Sequence, residues 1–284
     1  MSDAATPSAT TASSPAITTT SSTSSVPFSD GLGRIDRTAD NSGFAFTAID
    51  LVDKSLDSLE PIRSFPHVMF VNVSKNSLTD VSDALAALEF LVSVNLSENQ
   101  LTTVPKFAHA FLKDVDLSKN QLTSLQDAEG KSIVALKLNG NQLTSIDGLA
   151  NLTALKSVEL ARNHIDAISL ATDMPNVDHV VLSENKLTTL AGLEAFPNLA
   201  SLSIDLNQLA TFDVLGPLSQ FQFLTDIDLT GNSVTELDSY RLDLLLLLPR
   251  IKKLDGIPVT DDERVKAIAL KQQRDAAAKE AADL

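Results

Sequence analysis

Four histidines are the side chains of this sequence best suited to proton transfer or metal binding, and they stand far apart. They are His67, His109, His164 and His179. A catalytic or metal site needs such residues at a recognisable spacing, yet the sequence has neither an HExxH motif nor a glycine-rich phosphate loop. Because there is no cysteine, a thiolate metal site, a disulfide framework and a cysteine nucleophile are excluded. The sequence therefore predicts no enzyme and no cofactor.

Acidic pairs are the second arrangement that could bind a ligand. Asp114 and Asp116 alternate along one short segment, and Asp226 and Asp228 do the same further on. Carboxylates on one side of a strand could hold a cation, but no calcium-type ligand loop accompanies them. We therefore predict no metal site, and we keep Asp114 and Asp116 as candidates for contact with a protein partner.

Asparagine is the polar residue with the most regular spacing. Eight asparagines recur at steps of 23, 21, 21, 22, 22, 22 and 25 residues. Each belongs to the pattern L-x-x-L-x-L-x-x-N-x-L, and Ile133, Leu136, Leu138, Asn141 and Leu143 form one such unit. The amide has both donors and an acceptor, so a buried asparagine can satisfy backbone groups of adjacent turns. We predict a structural ladder formed by Asn76, Asn99, Asn120, Asn141, Asn163, Asn185, Asn207 and Asn232.

The elements that position these residues follow from the length of the repeat. A unit of about 22 residues is too short for a helical hairpin repeat, which needs roughly 33. It suffices for one short strand whose L-x-L face is buried, a turn and a short return, and successive strands then pair in parallel. The first unit is degenerate, since Lys54 stands at the asparagine position. The predicted fold is an α/β solenoid, a right-handed horseshoe with about nine parallel strands on its concave face and helical or 3-10 returns on its convex face.

The composition divides the chain into five segments. Residues 1–27 are mostly Ser, Thr, Ala and Pro, and we predict a disordered tail there or, alternatively, a tether that orders on a partner. Residues 28–45 form a polar lead-in, residues 46–237 hold the repeats, and residues 238–259 form a cap over the last hydrophobic face. Residues 260–284 begin with the capping-box sequence Thr-Asp-Asp-Glu, which predicts a charged helical extension.

Acidic residues outnumber basic ones by 37 to 22, which gives a formal net charge of −15. Nucleic-acid binding needs clustered lysine and arginine, so this balance argues against it. The acidity fits either a basic partner surface or a solubility device. The sequence shows no signal-peptide pattern and no apolar run of the roughly 20 residues that a membrane span requires. Together with the lack of cysteine, these features predict a cytoplasmic protein with no membrane or small-molecule partner.

Outward strand positions are the predicted partner surface, because side chains alternate along a strand. Large apolar residues at such positions often mark binding sites. Met69, Phe70 and Val92 are the first candidates, and packing against the lead-in is the alternative for Met69 and Phe70. The further candidates along the same face are Asp114, Asp116, His179, Val181 and Leu206.

A column of charged residues stands immediately before the asparagine position of each unit. It reads Asp53, Lys75, Glu98, Lys119, Gly140, Arg162 and Glu184. Stacked strands lie about 4.8 Å apart, so opposite charges in neighbouring units can pair. We interpret this column as a solvated ladder that sets the register, in which each exposed pair contributes at most about 1 kcal/mol.

The repeats resemble the leucine-rich repeat superfamily, in its class of short repeats, over residues 46–256. The segment after the repeats strengthens the resemblance. Tyr240-Arg241, Leu248-Pro249, Ile-Lys-Lys-Leu-Asp-Gly at residues 251–256 and Glu263-Arg264 are similar to a C-terminal cap motif of several families in that class. The resemblance implies a solenoid that binds other proteins and performs no catalysis, and it is far more specific for fold than for function.

Within this class, the layout is most similar to the leucine-rich repeat proteins of axonemal radial spokes. The similarity lies in residues 46–51 leading into residues 70–80, and in the cap followed by residues 261–267 and a Gln/Arg-rich helix. It implies a structural subunit of a cilium or flagellum, with other subunits of that assembly as partners. Two alternatives stay open: a regulatory module of a protein phosphatase 1-type catalytic subunit, which the lack of tryptophan disfavours, and a spliceosomal adaptor, which the acidity disfavours.

Overall fold

A computed structural model describes residues 27–38 and 41–282 of the chain. The predicted disordered tail lies outside these residues except for Pro27. The described residues contain twelve strands in one sheet, and their spatial order follows the sequence. The strands are β1 (Leu32–Arg37), β2 (Phe44–Asp50), β3 (Phe70–Asn72), β4 (Ser93–Asn95), β5 (Asp114–Asp116), β6 (Ala135–Lys137), β7 (Ser157–Glu159), β8 (His179–Val181), β9 (Ser201–Ser203), β10 (Asp226–Asp228), β11 (Lys253–Leu254) and β12 (Ile257–Pro258).

Strands β2 to β11 pair in parallel, one with the next, while β1 and β12 pair antiparallel at the two ends of the sheet. The parallel part has ten strands rather than the nine that the repeats predict, because the cap adds β11 to the stack. A parallel neighbour continues the hydrogen-bond ladder of the last repeat, so the cap closes the sheet edge as well as the core.

The return segments are short. Three α-helices are present among the described residues: α1 (Ser82–Leu85), α2 (Tyr240–Leu247) and α3 (Asp261–Ala282). Single 3-10 helices occupy Phe28–Gly31, Glu60–Ser64, Asp147–Asn151, Leu193–Ala195, Phe212–Gln220 and Ser233–Glu236. The longest of these, Phe212–Gln220, fills the 25-residue step of the repeat pattern. No helix of the described part is both long enough and apolar enough to cross a membrane.

One continuous hydrophobic core runs the length of the solenoid, from Phe28 at one end to Ala267 at the other. It lies between the sheet and the returns, and the repeated leucine, isoleucine and valine positions supply nearly all of it. Leu136 of β6, for example, pairs with Val115 and Val158 of the neighbouring strands, and all three side chains are buried. Each unit therefore covers the apolar face of the previous one, as a solenoid requires.

The asparagines form a ladder of hydrogen bonds inside the solenoid. The Asn141 amide nitrogen donates to the carbonyl oxygens of Leu117 and Leu138 at 3.0 and 2.9 Å, and its oxygen accepts the Leu122 N–H at 3.1 Å. Each amide thus joins two successive units through buried backbone groups. The same three contacts recur at Asn99, Asn120, Asn163, Asn185, Asn207 and Asn232.

The residue before each asparagine adopts a left-handed backbone conformation. The whole charged column shares this left-handed conformation, and φ lies between 54° and 58° at every non-glycine position. Two of the expected ion pairs form, Lys119–Glu98 at 3.1 Å and Arg162–Glu184 at 2.7 Å. The column therefore marks the turn that ends each strand. Its members are Asp53, Lys75, Glu98, Lys119, Gly140, Arg162, Glu184, Leu206 and Gly231.

The lead-in is a β-hairpin rather than a polar connection. Strand β1 pairs antiparallel with β2, and β2 begins at Phe44, so the predicted boundary after residue 45 falls inside a strand. The alternation of Phe44, Phe46 and Ala48 with buried Thr47 continues the period-two pattern backwards from the first repeat. The Thr47 hydroxyl donates to the Arg34 carbonyl at 3.0 Å and ties the hairpin together. The hairpin covers the N-terminal edge of the parallel sheet.

The C-terminal cap closes the other end. Ile251 is fully buried, and the Asp255 carboxylate accepts the Leu229 N–H at 2.9 Å and the Tyr240 hydroxyl at 3.1 Å. Asp255 thereby ends the backbone ladder beyond the last asparagine. Burial raises the pKa of Tyr240 well above its usual value, and the neighbouring Asp255 charge adds to that shift. Burial also raises the pKa of Asp255, although its hydrogen bonds oppose this.

Helix α3 packs along the cap for more than half of its length. Arg264 donates to the Pro249 carbonyl at 2.7 Å, and Arg274, three turns on, forms an ion pair with Asp243 of α2. The contacts of α3 with the cap therefore extend as far as Arg274. The apolar residues Val265 and Ile268 are exposed, so they do not belong to the packing face of α3, whereas Ala267 is buried.

Acid should weaken the junction between the cap and α3 through Glu263. Hydrogen bonds from Arg241 and from the Thr260 N–H lower the pKa of Glu263 from 4.5 to about 2. A carboxylate with a lowered pKa stabilises the folded state above its unfolded value, and this contribution disappears as the pH falls through the folded value. For Glu263→Gln we expect a lower free energy of unfolding than for the parent at neutral pH, and we expect this difference to shrink between pH 4.5 and about 2.

Urea unfolding of both proteins across this pH range measures the difference. Glu280→Gln, near the exposed end of α3, is the matched control and should leave the free energy of unfolding unchanged at every pH. A Glu263→Gln difference that stays constant down to pH 2 would rule out this ionic contribution.

Candidate functional site

The exposed face of the sheet, called here the sheet face, consists of the two residues that flank the buried one in each short strand. Most of these residues are small or polar, so large apolar side chains on the sheet face need another explanation than core packing. The first column is Ala48, Phe70, Ser93, Asp114, Ala135, Ser157, His179, Ser201 and Asp226, and the second is Asp50, Asn72, Asn95, Asp116, Lys137, Glu159, Val181, Ser203 and Asp228.

The N-terminal end of the sheet face carries an apolar cluster, called here the hairpin patch. It comprises Ile35, Phe44, Phe46, Met69 and Phe70. Phe70 pairs with Ala48, two residues beyond Phe46, and Phe46 pairs with Ile35 across the hairpin. Phe44 is 77% exposed, Ile35 62% and Phe46 41%, while Met69 and Phe70 are half-buried. Such a contiguous exposed cluster is typical of a protein-binding surface.

Val92, the third predicted apolar candidate, adjoins this patch. Its N–H donates to the Met69 carbonyl at 2.8 Å, and its side chain is half-buried. The structure therefore brings Met69, Phe70 and Val92 together. The sequence analysis did not include Ile35, Phe44 and Phe46. The alternation of Phe44 and Phe46 ahead of the first repeat is the signal that could have identified them.

The alternative interpretation of Phe70, packing against the lead-in, is partly realised. The guanidinium carbon of Arg34 lies 5.0 Å from the centre of the Phe70 ring, a cation–π contact. Arg34 also forms an ion pair with Asp36. This contact covers one face of Phe70, but it leaves Phe44 and Ile35 exposed. The lead-in thus extends the apolar surface as well as covering part of it.

Of the acidic pair on β5, Asp114 and Asp116, the second stabilises the turn that follows the strand. One Asp116 carboxylate oxygen accepts the Ser118 N–H at 2.9 Å, and Asn95 and Asp228 make the same bond to Ser97 and Thr230. Short polar side chains commonly stabilise turns in this way. Asp114, by contrast, is exposed and points outward on the sheet face. Among the described residues, no three acidic or histidine side chains are grouped so as to hold a metal ion.

His179 and Val181 lie on β8, five strands from Phe70, which corresponds to about 24 Å. They are half-buried and form no common cluster with the hairpin patch. Nearby, Lys137 and Glu159 form an ion pair of 3.0 Å on the sheet face. Partial burial would raise the pKa of Glu159, but hydrogen bonds from Lys137 and Asn139 outweigh it and lower that pKa. This middle region is a polar, internally paired surface.

Leu206 is outward, as predicted, but it does not stand on the sheet face. It is 54% exposed and occupies the left-handed turn position after β9, with φ of 54°. Its side chain approaches Gly231, the next residue of that column, where a Cβ atom would come within 2.6 Å of Leu206 Cδ2. The alternation rule fails here because the chain has already left the strand.

A stack of aromatic rings at the entry to the strands is a feature that the sequence analysis missed. His67, Phe90 and Phe111 each precede the first buried residue of a unit, and successive ring centres lie 6.3 Å apart. At the equivalent position of later units, Asn176 and Asn198 donate instead to backbone carbonyls of the previous unit. The stack begins at His67, two residues before Met69 of the hairpin patch, and ends at Phe111.

Comparison with known proteins finds relatives whose names describe leucine-rich proteins. No family model matches the chain. It is 32% identical over 112 residues to acidic leucine-rich nuclear phosphoprotein 32 family member A of Drosophila melanogaster, which is 39% of this chain and 43% of that protein. It is 25% identical over 268 residues to human leucine-rich repeat-containing protein 23, which covers 86% of this chain and 78% of the human protein. The chain thus spans less than half of the first relative and most of the second.

The fold has the same kind of neighbour among solved structures. The crystal structure of an internalin (inlF) from Listeria monocytogenes superposes with a TM-score of 0.59 at 22% identity, over 71% of this chain and 58% of that one. The prediction of a leucine-rich repeat solenoid is confirmed. The chain therefore has the fold of a leucine-rich repeat solenoid.

Proposed function

We propose that the chain is a structural subunit of a ciliary or flagellar axonemal complex of the radial-spoke kind, and that it binds a neighbouring subunit through the hairpin patch. The observation that carries the binding role is the patch itself. Phe44, Phe46 and Ile35 remain exposed beside Met69 and Phe70 at the end of a sheet face that is otherwise small and polar. Fold stability does not require three large exposed apolar side chains at a sheet edge. Exposed apolar side chains at such an edge are typical of a surface that binds another protein.

The axonemal assignment draws on the resemblance of the first repeats, the cap and the terminal helix to radial-spoke repeat proteins. The long match to the human leucine-rich repeat protein supports a shared layout, since it includes the repeat array and not a single segment. In the middle of the sheet face, Lys137 and Glu159 form an ion pair, so these two charges are neutralised within the chain.

Fractionation of the source cells tests this proposal. The endogenous protein is tagged, cells are extracted with non-ionic detergent, and the protein is followed in the soluble extract and the axoneme. We expect it to remain with the axoneme and to co-purify with structural subunits after high-salt release. A wholly soluble protein, or a stable complex with a phosphatase catalytic subunit or with spliceosomal proteins, would contradict the axonemal role. The leucine-rich repeat fold would survive any of these outcomes.

A further inference from the structure

The return side of the solenoid contains an open groove of about 760 Å³. Its origin is visible in the repeat spacing, because it lies at the two steps of only 21 residues, from Asn99 to Asn120 and on to Asn141. The returns at residues 101–111 and 122–132 contain no regular helix, whereas α1 precedes them and the 3-10 helix Asp147–Asn151 follows them. Two thin returns between thicker ones leave a depression on this side.

The floor of the groove is rigid and mostly apolar. Phe107 is buried there, and the exposed methyl groups of Ala108 and Ala110 line the sides. His109 is also buried, and its Nε2 atom lies 2.9 Å from the Leu85 carbonyl. The Ser132 hydroxyl donates to the His109 carbonyl at 2.6 Å, so the floor is tied to the returns on both sides.

His109 also leaves an unsatisfied polar atom at this place. The Nε2 atom donates to the Leu85 carbonyl, which leaves Nδ1 as the other polar atom of the ring. Nδ1 is buried and has no hydrogen-bond partner within the part of the chain that the structure describes. A buried polar atom without a partner is unfavourable, and this cost arises at a residue that lines the groove.

The rim of the groove is acidic, and so is the whole return side. Asp127 and Glu129 are exposed at the rim, with Lys131 as the one basic lining residue. Between residues 57 and 233, the return segments hold twelve acidic and three basic residues, while the strand segments hold nine acidic and seven basic ones. The net negative charge of the repeats is therefore concentrated on the return side. The return segments are residues 57–67, 78–90, 101–111, 122–132, 143–154, 165–176, 187–198 and 209–223.

We propose that this groove binds a basic, extended segment of a partner protein, with an arginine or lysine side chain inserted between Ala108 and the rim. An apolar floor below carboxylates suits a side chain with an aliphatic stem and a cationic head. The head then donates to Asp127 and Glu129. This second docking site is independent of the hairpin patch and faces away from it, so one molecule can bind two partners at once.

Fluorescence anisotropy with a labelled decapeptide of alternating arginine and alanine tests the site on the full chain at low salt. Ala108→Phe fills the groove without changing the charge, and Asp127→Asn with Glu129→Gln removes two charges from the rim. The control pair, Asp166→Asn with Asp173→Asn, removes the same charge from exposed positions of the return at residues 165–176, which does not line the groove. We expect each groove variant to bind about tenfold more weakly than the parent, and the control pair to change affinity less than about twofold.

Three outcomes would overturn the proposal: no binding of the arginine peptide, unchanged affinity of Ala108→Phe, or equal weakening by the two charge-removing pairs. The last would mean that the acidic side attracts cations without a specific site. The decapeptide with glutamate in place of arginine should not bind. Circular dichroism verifies that each variant is folded, and Ala110→Phe replaces Ala108→Phe if that variant is not, with the same expected loss of affinity.

Discussion

Asn141→Leu should destabilise the protein by about 1–3 kcal/mol. The substitution removes one acceptor and two donor contacts: the Leu122 N–H loses its partner, and the Leu117 and Leu138 carbonyls each lose one of two amide hydrogens, keeping those of Asn120 and Asn163. Leucine cannot replace any of these bonds, and water has little access because the position is buried. Urea unfolding followed by circular dichroism measures the loss.

The control for this prediction is an asparagine with a single bond at the surface. Asn198 donates to the Pro175 carbonyl at 2.8 Å but is exposed, so water can satisfy that carbonyl in Asn198→Leu. The expected loss there is under about 1 kcal/mol. Equal losses for the two variants would mean that the asparagines do not hold the repeats together through buried backbone groups.

Gly192→Ala should be at least as damaging, with an expected loss of about 3–5 kcal/mol. Gly192 has a φ of 94°, a conformation that alanine rarely adopts, and its Cβ would lie 1.9 Å from the Ile168 carbonyl oxygen. The obstacle is backbone of the previous unit, so no side-chain rotation relieves it. Two adjacent returns would have to separate.

Hydrogen exchange locates the damage and urea unfolding measures its size. In Gly192→Ala, amides of residues 187–198 should lose protection first, because their packing on the previous return is disturbed. Gly216→Ala is the matched control, since no atom lies within 4 Å of its added Cβ. Replacing glycine there should leave stability unchanged or raise it slightly, through the unfolded state. A similar loss in both variants would contradict the close approach of the returns at Gly192.

The repeat positions were predictable from sequence because each is set by its own unit. The spacing of Asn141 and of Leu136 recurs in neighbouring units, so the pattern carries the same information several times over. The left-handed turn at Lys119 and Arg162 was not predicted, because only the charges of these side chains were considered and not the backbone conformation of the residues. Gly140 and Gly231 in the same column are the clue, since glycine is the residue that most readily accepts a positive φ.

The N-terminal end was predicted less well, for a physical reason. The pairing of Ile35 with Phe46 depends on a chain reversal between β1 and β2. This reversal occurs once, so the repeat pattern carries no information about it. The hairpin patch was therefore recognised only in its second half, Met69 and Phe70. The cation–π contact of Arg34 with Phe70 likewise joins residues from different segments, and a local pattern cannot reveal such contacts.

The candidate site was predictable only in outline. The sheet face was identified from strand alternation, and Asp114, His179 and Val181 do lie on it. The sequence did not show that Asp116 ends its strand, nor that Leu206 stands on a turn. The sequence showed the shorter 21-residue steps but not their consequence. The groove, which is lined in part by buried His109, arises only when three successive returns pack against one another.

Site-specific photo-crosslinking in the source cells tests the central claim, that the hairpin patch binds a protein partner. The crosslinking amino acid p-benzoylphenylalanine replaces Phe44, which is 77% exposed in the patch, or Phe223, which is 58% exposed far from it. Both changes conserve an exposed aromatic side chain, so the two proteins should fold equally well. We predict one discrete crosslinked partner from position 44 and none from position 223. No crosslink from position 44, or the same products from both positions, would contradict the account.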